Sequence, residues 1–366
     1  MKIFNVAIIG CGAISEKHAN ILTSKKIKHL KFVAVYDIKK NRAKFFAEKY
    51  KIKYFNNIHK LFSSTIIDIV VICSDSGSHY KNALIVSKYK KDLIIEKPIC
   101  LNLNQAKKII KIYKKNKNRL FIVMQNRFNP ATKLLKETIK KKLFGKITSV
   151  SVKVWWSRDQ FYYDKAPWRG TWSQDGGLFM NQAIHHIDMM SWLLGSVKSV
   201  TAIIKKRLVK IETEDVGAAI LEFNNGALGV IEVSTAVRPK NIEGSITILG
   251  ENGNVKVGGN YMNQLEFYNF QKNKKISNVL LKKFYERSKK KTNSHFLFYL
   301  NVVKNLLRKN TLSNIDNNSI DGNEGIKSLE IVNAIYYSVI RKKRINLPLN
   351  FKIINYKKKL IDELRN

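Results

Sequence analysis

Cysteine is scarce in this 366-residue chain: there are three, Cys11, Cys73 and Cys100. So few, so far apart, exclude a disulfide framework or a cysteine metal knuckle, and no metal site is expected. Long apolar runs are missing too, and the longest candidates carry lysines, so no membrane span is expected. The start, Met1-Lys2-Ile3-Phe4-Asn5, has no small-residue cleavage site and runs straight into a strand pattern. A reducing cytoplasm fits these absences. Acidic charge is short as well: 27 Asp and Glu face 67 Lys and Arg, a formal charge of +40. That balance raises a nucleic-acid binder as a class. But the lysines are dispersed among Ile and Asn, with no arginine-rich arm and no zinc-finger spacing. The runs Lys289-Lys290-Lys291 and Lys357-Lys358-Lys359 read as solvated helix faces. No nucleic-acid partner is expected, although a positive surface would steer an anionic substrate.

What is present is ordinary globular material, with 45% hydrophobic and 10% aromatic residues, in a length that suits two domains. Val6-Ala7-Ile8-Ile9 is a buried-strand pattern. Gly10-Cys11-Gly12-Ala13-Ile14-Ser15 follows, then a helical stretch to Leu22. Strand, glycine turn and helix in that order are the context of a dinucleotide fingerprint. Gly10 allows the tight turn, and Gly12, with Ala13 and Ile14, lets backbone N–H groups meet a pyrophosphate at a helix N-terminus. The second strand, Phe32 to Tyr36, ends in Asp37, placed to bond a ribose hydroxyl; the plain alternative is that it starts the next helix. An acid there favours NAD over NADP, although Lys39, Lys40 and Arg42 lie nearby.

A third strand, Ile66 to Cys73, leads to Ser74 and His79, with His79 opening a helix. A fourth, Leu93 to Ile95, runs into Glu96-Lys97-Pro98. Proline restrains Lys97 there, so its ammonium could stabilise a developing alkoxide; the plain alternative is an ion pair with Glu96. Leu120 to Met124 closes the alternation, which implies an open parallel sheet. The texture then changes. Gln125-Asn126-Arg127-Phe128-Asn129-Pro130 is a polar turn, and alternating strands follow at 147–156, 200–204, 217–223, 227–234 and 245–249. Asn224-Asn225-Gly226 and Glu251-Asn252-Gly253 read as hairpin turns. The segment 161–175 reads as a loop in which Tyr163, Trp168 and Arg169 could contact a ligand or pack the domain edge. The predicted fold is α/β: a doubly wound parallel sheet in 1–124, an α+β domain with a large open, mostly antiparallel sheet in 125–350, and a basic helical tail in 351–366.

The stretch that organises the rest is Gly176-Gly177-Leu178-Phe179-Met180-Asn181-Gln182-Ala183-Ile184-His185-His186-Ile187-Asp188. Read as one helix, it places Asn181, His185 and Asp188 on one face. His185 is the candidate general base, Asn181 a hydrogen-bonding neighbour and Asp188 its orienter. A buried histidine satisfied by Asp188, without catalysis, explains the same pattern.

The glycine fingerprint, Glu96-Lys97-Pro98 and Gly-Gly…Asn-x-x-x-His-x-x-Asp, in this order and spacing, resemble the glucose–fructose oxidoreductase / inositol dehydrogenase family (Gfo/Idh/MocA). The resemblance covers about Asn5 to Leu349. It implies an NAD(P)-binding Rossmann domain with cofactor contacts from Gly10, Gly12, Ala13, Ile14, Asp37, Ser74, His79, Glu96, Lys97 and Gln125. It implies an α/β domain whose sheet makes a homo-oligomer, a dimer or tetramer. It also implies hydride transfer from a sugar or cyclitol hydroxyl, with the family's lysine at Lys97 and its histidine at His185. Many free-polyol members carry Asp where this chain has Asn181, a departure that resembles UDP-N-acetylglucosamine and UDP-N-acetylglucosaminuronate 3-dehydrogenases.

The expected activity is therefore NAD-dependent oxidation of a ring hydroxyl, at C3, of a nucleotide-linked amino sugar for surface-polysaccharide or lipopolysaccharide precursors. His185 takes the proton, Lys97 stabilises the oxygen and Asn181 orients. Arg127, Tyr163, Trp168 and Arg169 join Lys97, Asn181 and His185 around the substrate, with Arg127 and Arg169 on its diphosphate. The alternatives are a free sugar or inositol dehydrogenase, and a protein that binds NAD or sugar without turning it over. The loop Ser74-Asp75-Ser76 departs from the family in lacking the usual proline.

Overall fold

Phe4–Ile9 (β1) is strand because it is a short apolar run whose last four residues are buried on both faces. The computed structural model describes residues 1–24, 26–259, 262–271, 282, 286, 292–308, 321–350 and 357–365. The Lys289–Lys291 run lies outside the described residues. The chain divides into two compact units, Met1–Val123 with His295–Ile326 and Met124–Ser294 with Lys327–Asn366. The segment from His295 to Ile326, which sequence order would leave in the second domain, thus counts with the first.

In the first unit, β1, Leu30–Tyr36 (β2), Lys53–Phe55 (β3), Ile69–Ile72 (β4), Asp92–Ile95 (β5) and Leu120–Ile122 (β6) form one sheet in the order β3-β2-β1-β4-β5-β6. Every pairing is parallel. The strands are joined by helices Ala13–Leu22 (α1), Lys40–Tyr50 (α2), Ile58–Ser63 (α3), His79–Lys88 (α4) and Leu103–Lys115 (α5). Strand order reverses between β1 and β4, the place where doubly wound sheets bind ligands. Strand β3 escaped the sequence pattern because its three residues are largely exposed.

The second unit holds an eight-stranded sheet. Its strands are Ile147–Trp155 (β7), Val197–Lys205 (β8), Val216–Phe223 (β9), Leu228–Ser234 (β10), Glu243–Gly250 (β11), Gly253–Gly258 (β12), Gln264–Phe270 (β13) and Ile345–Asn346 (β14). The order is β13-β12-β11-β7-β10-β9-β8-β14. All pairs are antiparallel except β7 with β10. Both hairpin turns form, and Gly226 takes the positive φ that the first requires. One sheet face is core: Val257, Ile246, Val152, Ile231 and Ala219 sit in one cross-strand row, all buried. Pro130–Lys140 (α6), Gln160–Asp164 (α7), Leu178–Asn181 (α8) and Ile184–Leu194 (α9) complete this part of the unit, and α9 is buried almost all round. The opposite sheet face leaves Ile203, Ile220, Leu228 and Leu249 exposed.

Two expectations fail locally. The segment 161–175 is not all loop: Asp159 accepts the Tyr162 N–H at 2.8 Å and caps α7. The stretch from Gly177 is not one helix either. Ala183 N–H bonds Leu178 O, five residues back, which ends α8 in a wide turn before α9 starts at Ile184. Asn181 and His185 therefore flank a break rather than share a regular face.

Candidate active site

In the first unit, Gly10 has φ +95°, and a Cβ there would lie 2.7 Å from Ser74 N. Glycine lets the ends of β1 and β4 meet at the switch point. Gly12 differs: a Cβ on it would meet nothing within 4 Å, and no side chain caps α1. The chain's own packing does not demand glycine there. Bare backbone at an uncapped helix N-terminus, from Gly12 through Ala13 and Ile14, is what a dinucleotide pyrophosphate takes. These residues fit the cofactor that the fingerprint implies.

Asp37 braces this turn. Its Oδ2 accepts the Cys11 N–H and its Oδ1 the Lys39 N–H, each at 2.8 Å; no side chain caps α2, so Asp37 ties the glycine loop to the residues that lead into that helix rather than capping it. Burial, and then the Asp37 charge, pushes the Cys11 thiol up to about 12, which makes it inert. Ser74 is partly exposed, and its hydroxyl accepts from Asn82 at 3.0 Å. His79, expected to touch the cofactor, is 1% exposed. Its Nδ1 lies 2.7 Å from Pro98 O and its Nε2 3.0 Å from Ser74 O. Burial lowers its pKa, so the ring is neutral and donates to one of these two carbonyls. His79 shapes two loop ends from beneath.

Glu96 is held by a residue that sequence reasoning missed. His18 Nε2 lies 2.8 Å from Glu96 Oε1, and His18 Nδ1 lies 2.8 Å from the Tyr299 hydroxyl. Burial alone would push the Glu96 carboxyl up, but the hydrogen bond and charge of His18 hold it at about 2. Glu96 Oε2 also accepts the Lys97 N–H at 3.2 Å. His18, Glu96 and His295 offer ligand-type atoms within 4.8 Å of one another, but both His18 nitrogens are committed to these hydrogen bonds. Lys97 itself is partly exposed at the end of β5.

In the second unit, Asn181 and His185 are partly exposed, while Gln182, Ala183, Ile184 and His186 around them are buried. The Asn181 side-chain amide donates to Asp175, whose other oxygen accepts the Gly170 N–H at 2.7 Å. Gln125, assigned to the cofactor from sequence, has its side-chain nitrogen 3.4 Å from His185 Nε2. His186 is the core histidine of the pair, and burial lowers its pKa to about 4.

Beneath this stretch lies a second missed group. Glu214, 1% exposed, accepts the Tyr336 hydroxyl at 2.8 Å and the Phe179 N–H at 3.3 Å. Burial raises its pKa to about 8. A Cβ on Gly177, at φ +98°, would run into Tyr336 and lie 2.7 Å from Glu214. Glu214 thus seats the glycine turn that leads into Asn181 and His185.

Three further expectations change. Asp188 does not orient His185: its Oδ2 accepts Arg127 Nε at 2.7 Å and its Oδ1 accepts Arg127 Nη2 at 2.6 Å. Arg127 is correspondingly 3% exposed, and its guanidinium also lies over Trp192 at 5.5 Å. A buried, neutralised guanidinium is poorly placed to take a diphosphate. Tyr163 is buried, with its hydroxyl 3.0 Å from Thr235 Oγ1, and burial raises its pKa. Arg169 and Trp168 are partly exposed, with the Arg169 guanidinium 4.2 Å from the Tyr162 ring and 5.7 Å from that of Trp168.

Residues 4–124 match the model of the oxidoreductase family with an NAD-binding Rossmann fold, and residues 132–256 match the GFO/IDH/MocA C-terminal domain. The chain is 30% identical to myo-inositol 2-dehydrogenase of Thermotoga maritima over 235 residues, 63% of this chain and 68% of that protein. The WlbA dehydrogenase of Bordetella pertussis, solved in complex with NADH and UDP-GlcNAcA, is 34% identical, with 95% of this chain and 99% of that one covered and a TM-score of 0.88. The WlbA enzyme of Chromobacterium violaceum, with the same two ligands, is 36% identical over 96% and 98%, with a TM-score of 0.87.

Proposed function

We propose, from the premise that the chain belongs to the Gfo/Idh/MocA family of NAD-binding oxidoreductases, that its substrate is a nucleotide-linked amino sugar. The substrate we assign is UDP-GlcNAcA or a sugar like it, oxidised at a ring hydroxyl, at C3. One observation carries the reading: WlbA enzymes solved with UDP-GlcNAcA align at 34% and 36% identity over nearly the whole chain. Asn181, in place of an aspartate, agrees with it. A role in surface-polysaccharide precursor synthesis, in the cytoplasm, belongs to the same proposal.

NAD, when bound, accepts the hydride. The His185 imidazole takes the hydroxyl proton, because a neutral alcohol is a poor hydride donor. The Gln125 side-chain nitrogen, 3.4 Å from Nε2, gives way there to the substrate hydroxyl, so that Nε2 is the nitrogen that accepts the proton. Lys97 donates to the oxygen as negative charge grows, and Glu96, kept ionised by His18, fixes the Lys97 backbone. Asn181, itself held by Asp175, donates to or accepts from a neighbouring substrate hydroxyl. The acid at Asp37 favours NAD over NADP.

A second reading, inositol or free-sugar oxidation, draws on the Thermotoga relative. Reduced cofactor should form with UDP-GlcNAcA or UDP-N-acetylglucosamine and not with myo-inositol or free hexoses. The reverse preference would replace the first reading by the second, and no turnover with any of them would leave only a binding protein. A homo-oligomer built on the open sheet is part of the proposal. The exposed row of Ile220 and Val230, with Leu228 and Leu249 beside it, is apolar surface that a second copy would cover.

A further inference from the structure

Arginine guanidiniums in the second unit are of two kinds. Arg127 is neutralised by Asp188. Arg158 and Arg169, among the described residues, bond no carboxylate. Arg158 Nη1 donates to Ser157 O at 2.7 Å and to the Asn241 side-chain oxygen at 3.4 Å. Arg169 Nη1 donates to Tyr162 O at 2.7 Å. The Nε of each is buried and meets no acceptor. Both therefore keep their full charge.

Both also lie over one ring. The Arg158 and Arg169 guanidiniums are 5.0 and 4.2 Å from the centre of Tyr162, while Trp156 lies 5.3 Å from the first and Trp168 5.7 Å from the second. A ring face attracts one cation, but two cations on one ring repel each other. An anion that reaches both offsets that repulsion. Tyr162 is in turn tied to the candidate catalytic stretch: its hydroxyl accepts from Gln182 at 3.1 Å, and Gln182 stands in the break between Asn181 and His185.

Resting on the nucleotide-sugar reading above, we propose that Arg158 and Arg169, presented on Tyr162, form the site for the diphosphate of a nucleoside diphosphate sugar. A planar guanidinium pairs two oxygens of a phosphate at once, which a lysine cannot do. Arg158 and Tyr162 take the place that sequence reading gave to Arg127 and Tyr163.

UDP titrated calorimetrically into the NAD-saturated full chain tests this. Arg158→Met and Arg169→Met should each weaken UDP binding roughly 10–100-fold, the loss expected for a charge-assisted hydrogen bond. Arg169→Lys should also weaken it, which keeps the test open if the Met variant fails to fold. Affinity for NAD should not change. Wild-type protein that ignores UDP, or variants that bind it like wild type, would overturn the proposal. Turnover of UDP-GlcNAcA with arginine-independent UDP affinity would sink this site and leave the reaction standing. Arginine-dependent UDP affinity without turnover would do the opposite.

Discussion

Replacing Arg127 by Met should damage the second unit's stability and leave substrate binding alone. The side chain makes two charge-assisted hydrogen bonds, at 2.7 and 2.6 Å, to an Asp188 that is 2% exposed. Removing it takes the Arg127 counter-charge from a buried carboxylate, a change that costs about 3–5 kcal/mol. Arg127→Met with Asp188→Leu removes the charge as well, and should recover most of that loss. All five tryptophans, Trp155, Trp156, Trp168, Trp172 and Trp192, lie in the second unit, so tryptophan fluorescence during urea unfolding reports on it selectively. The single variant should unfold at a urea concentration lower by roughly 1–2 M. A variant that unfolds like wild type but raises KM for the nucleotide sugar tenfold would refute the argument, and would return Arg127 to the diphosphate.

The two glycines of the fingerprint should separate. Gly10→Ala forces a Cβ to 2.7 Å from the Ser74 backbone at a positive φ and should destabilise the first unit by at least about 1–3 kcal/mol in thermal unfolding. Gly12→Ala meets no protein atom, so it should keep its melting temperature and lose affinity for NAD in a direct titration. Glu214 should make stability depend on pH. Its folded pKa of about 8 lies above the ordinary 4.5, so its contribution is complete below pH 4.5 and is lost as pH rises towards 8. Relative to Glu214→Gln, the wild type should therefore lose about 1.4 kcal/mol per pH unit across that window, and parallel stability curves would contradict it. Ile220→Glu, on the exposed sheet face, should shift the chain to a smaller species in sedimentation if copies pair there; an unchanged mass would remove that face as the interface.

The first unit was legible because its signals are local. Val6 to Ile9 announces a buried strand, Gly10 and Gly12 announce a turn, and Ala13 begins the helix without an intervening residue. The hairpins were legible for the same reason, since Asn225-Gly226 and Asn252-Gly253 carry their turn chemistry in adjacent residues. What was not legible is non-local. Arg127 meets Asp188 across 61 positions, and His18 meets Tyr299 across 281. No spacing rule links such pairs. The break at Gln182 hides inside an apolar pattern that continues through Leu194, because a five-residue backbone closure needs no special side chain. Strand β13 hides for another reason: five of its seven residues are exposed, so it lacks the alternation that a half-buried strand displays. Tyr162 and Tyr163 are neighbours with the same chemistry, and no local spacing announces that on α7, capped by Asp159, Tyr162 meets the arginines and Tyr163 is buried.

His185 is the group proposed to take the substrate proton. Reduction of NAD by UDP-GlcNAcA should therefore be followed in wild type and in His185→Asn, together with NAD affinity in both. The expected result is turnover lowered about a hundredfold or more in the variant, with NAD bound as before. Wild-type turnover in His185→Asn would contradict it.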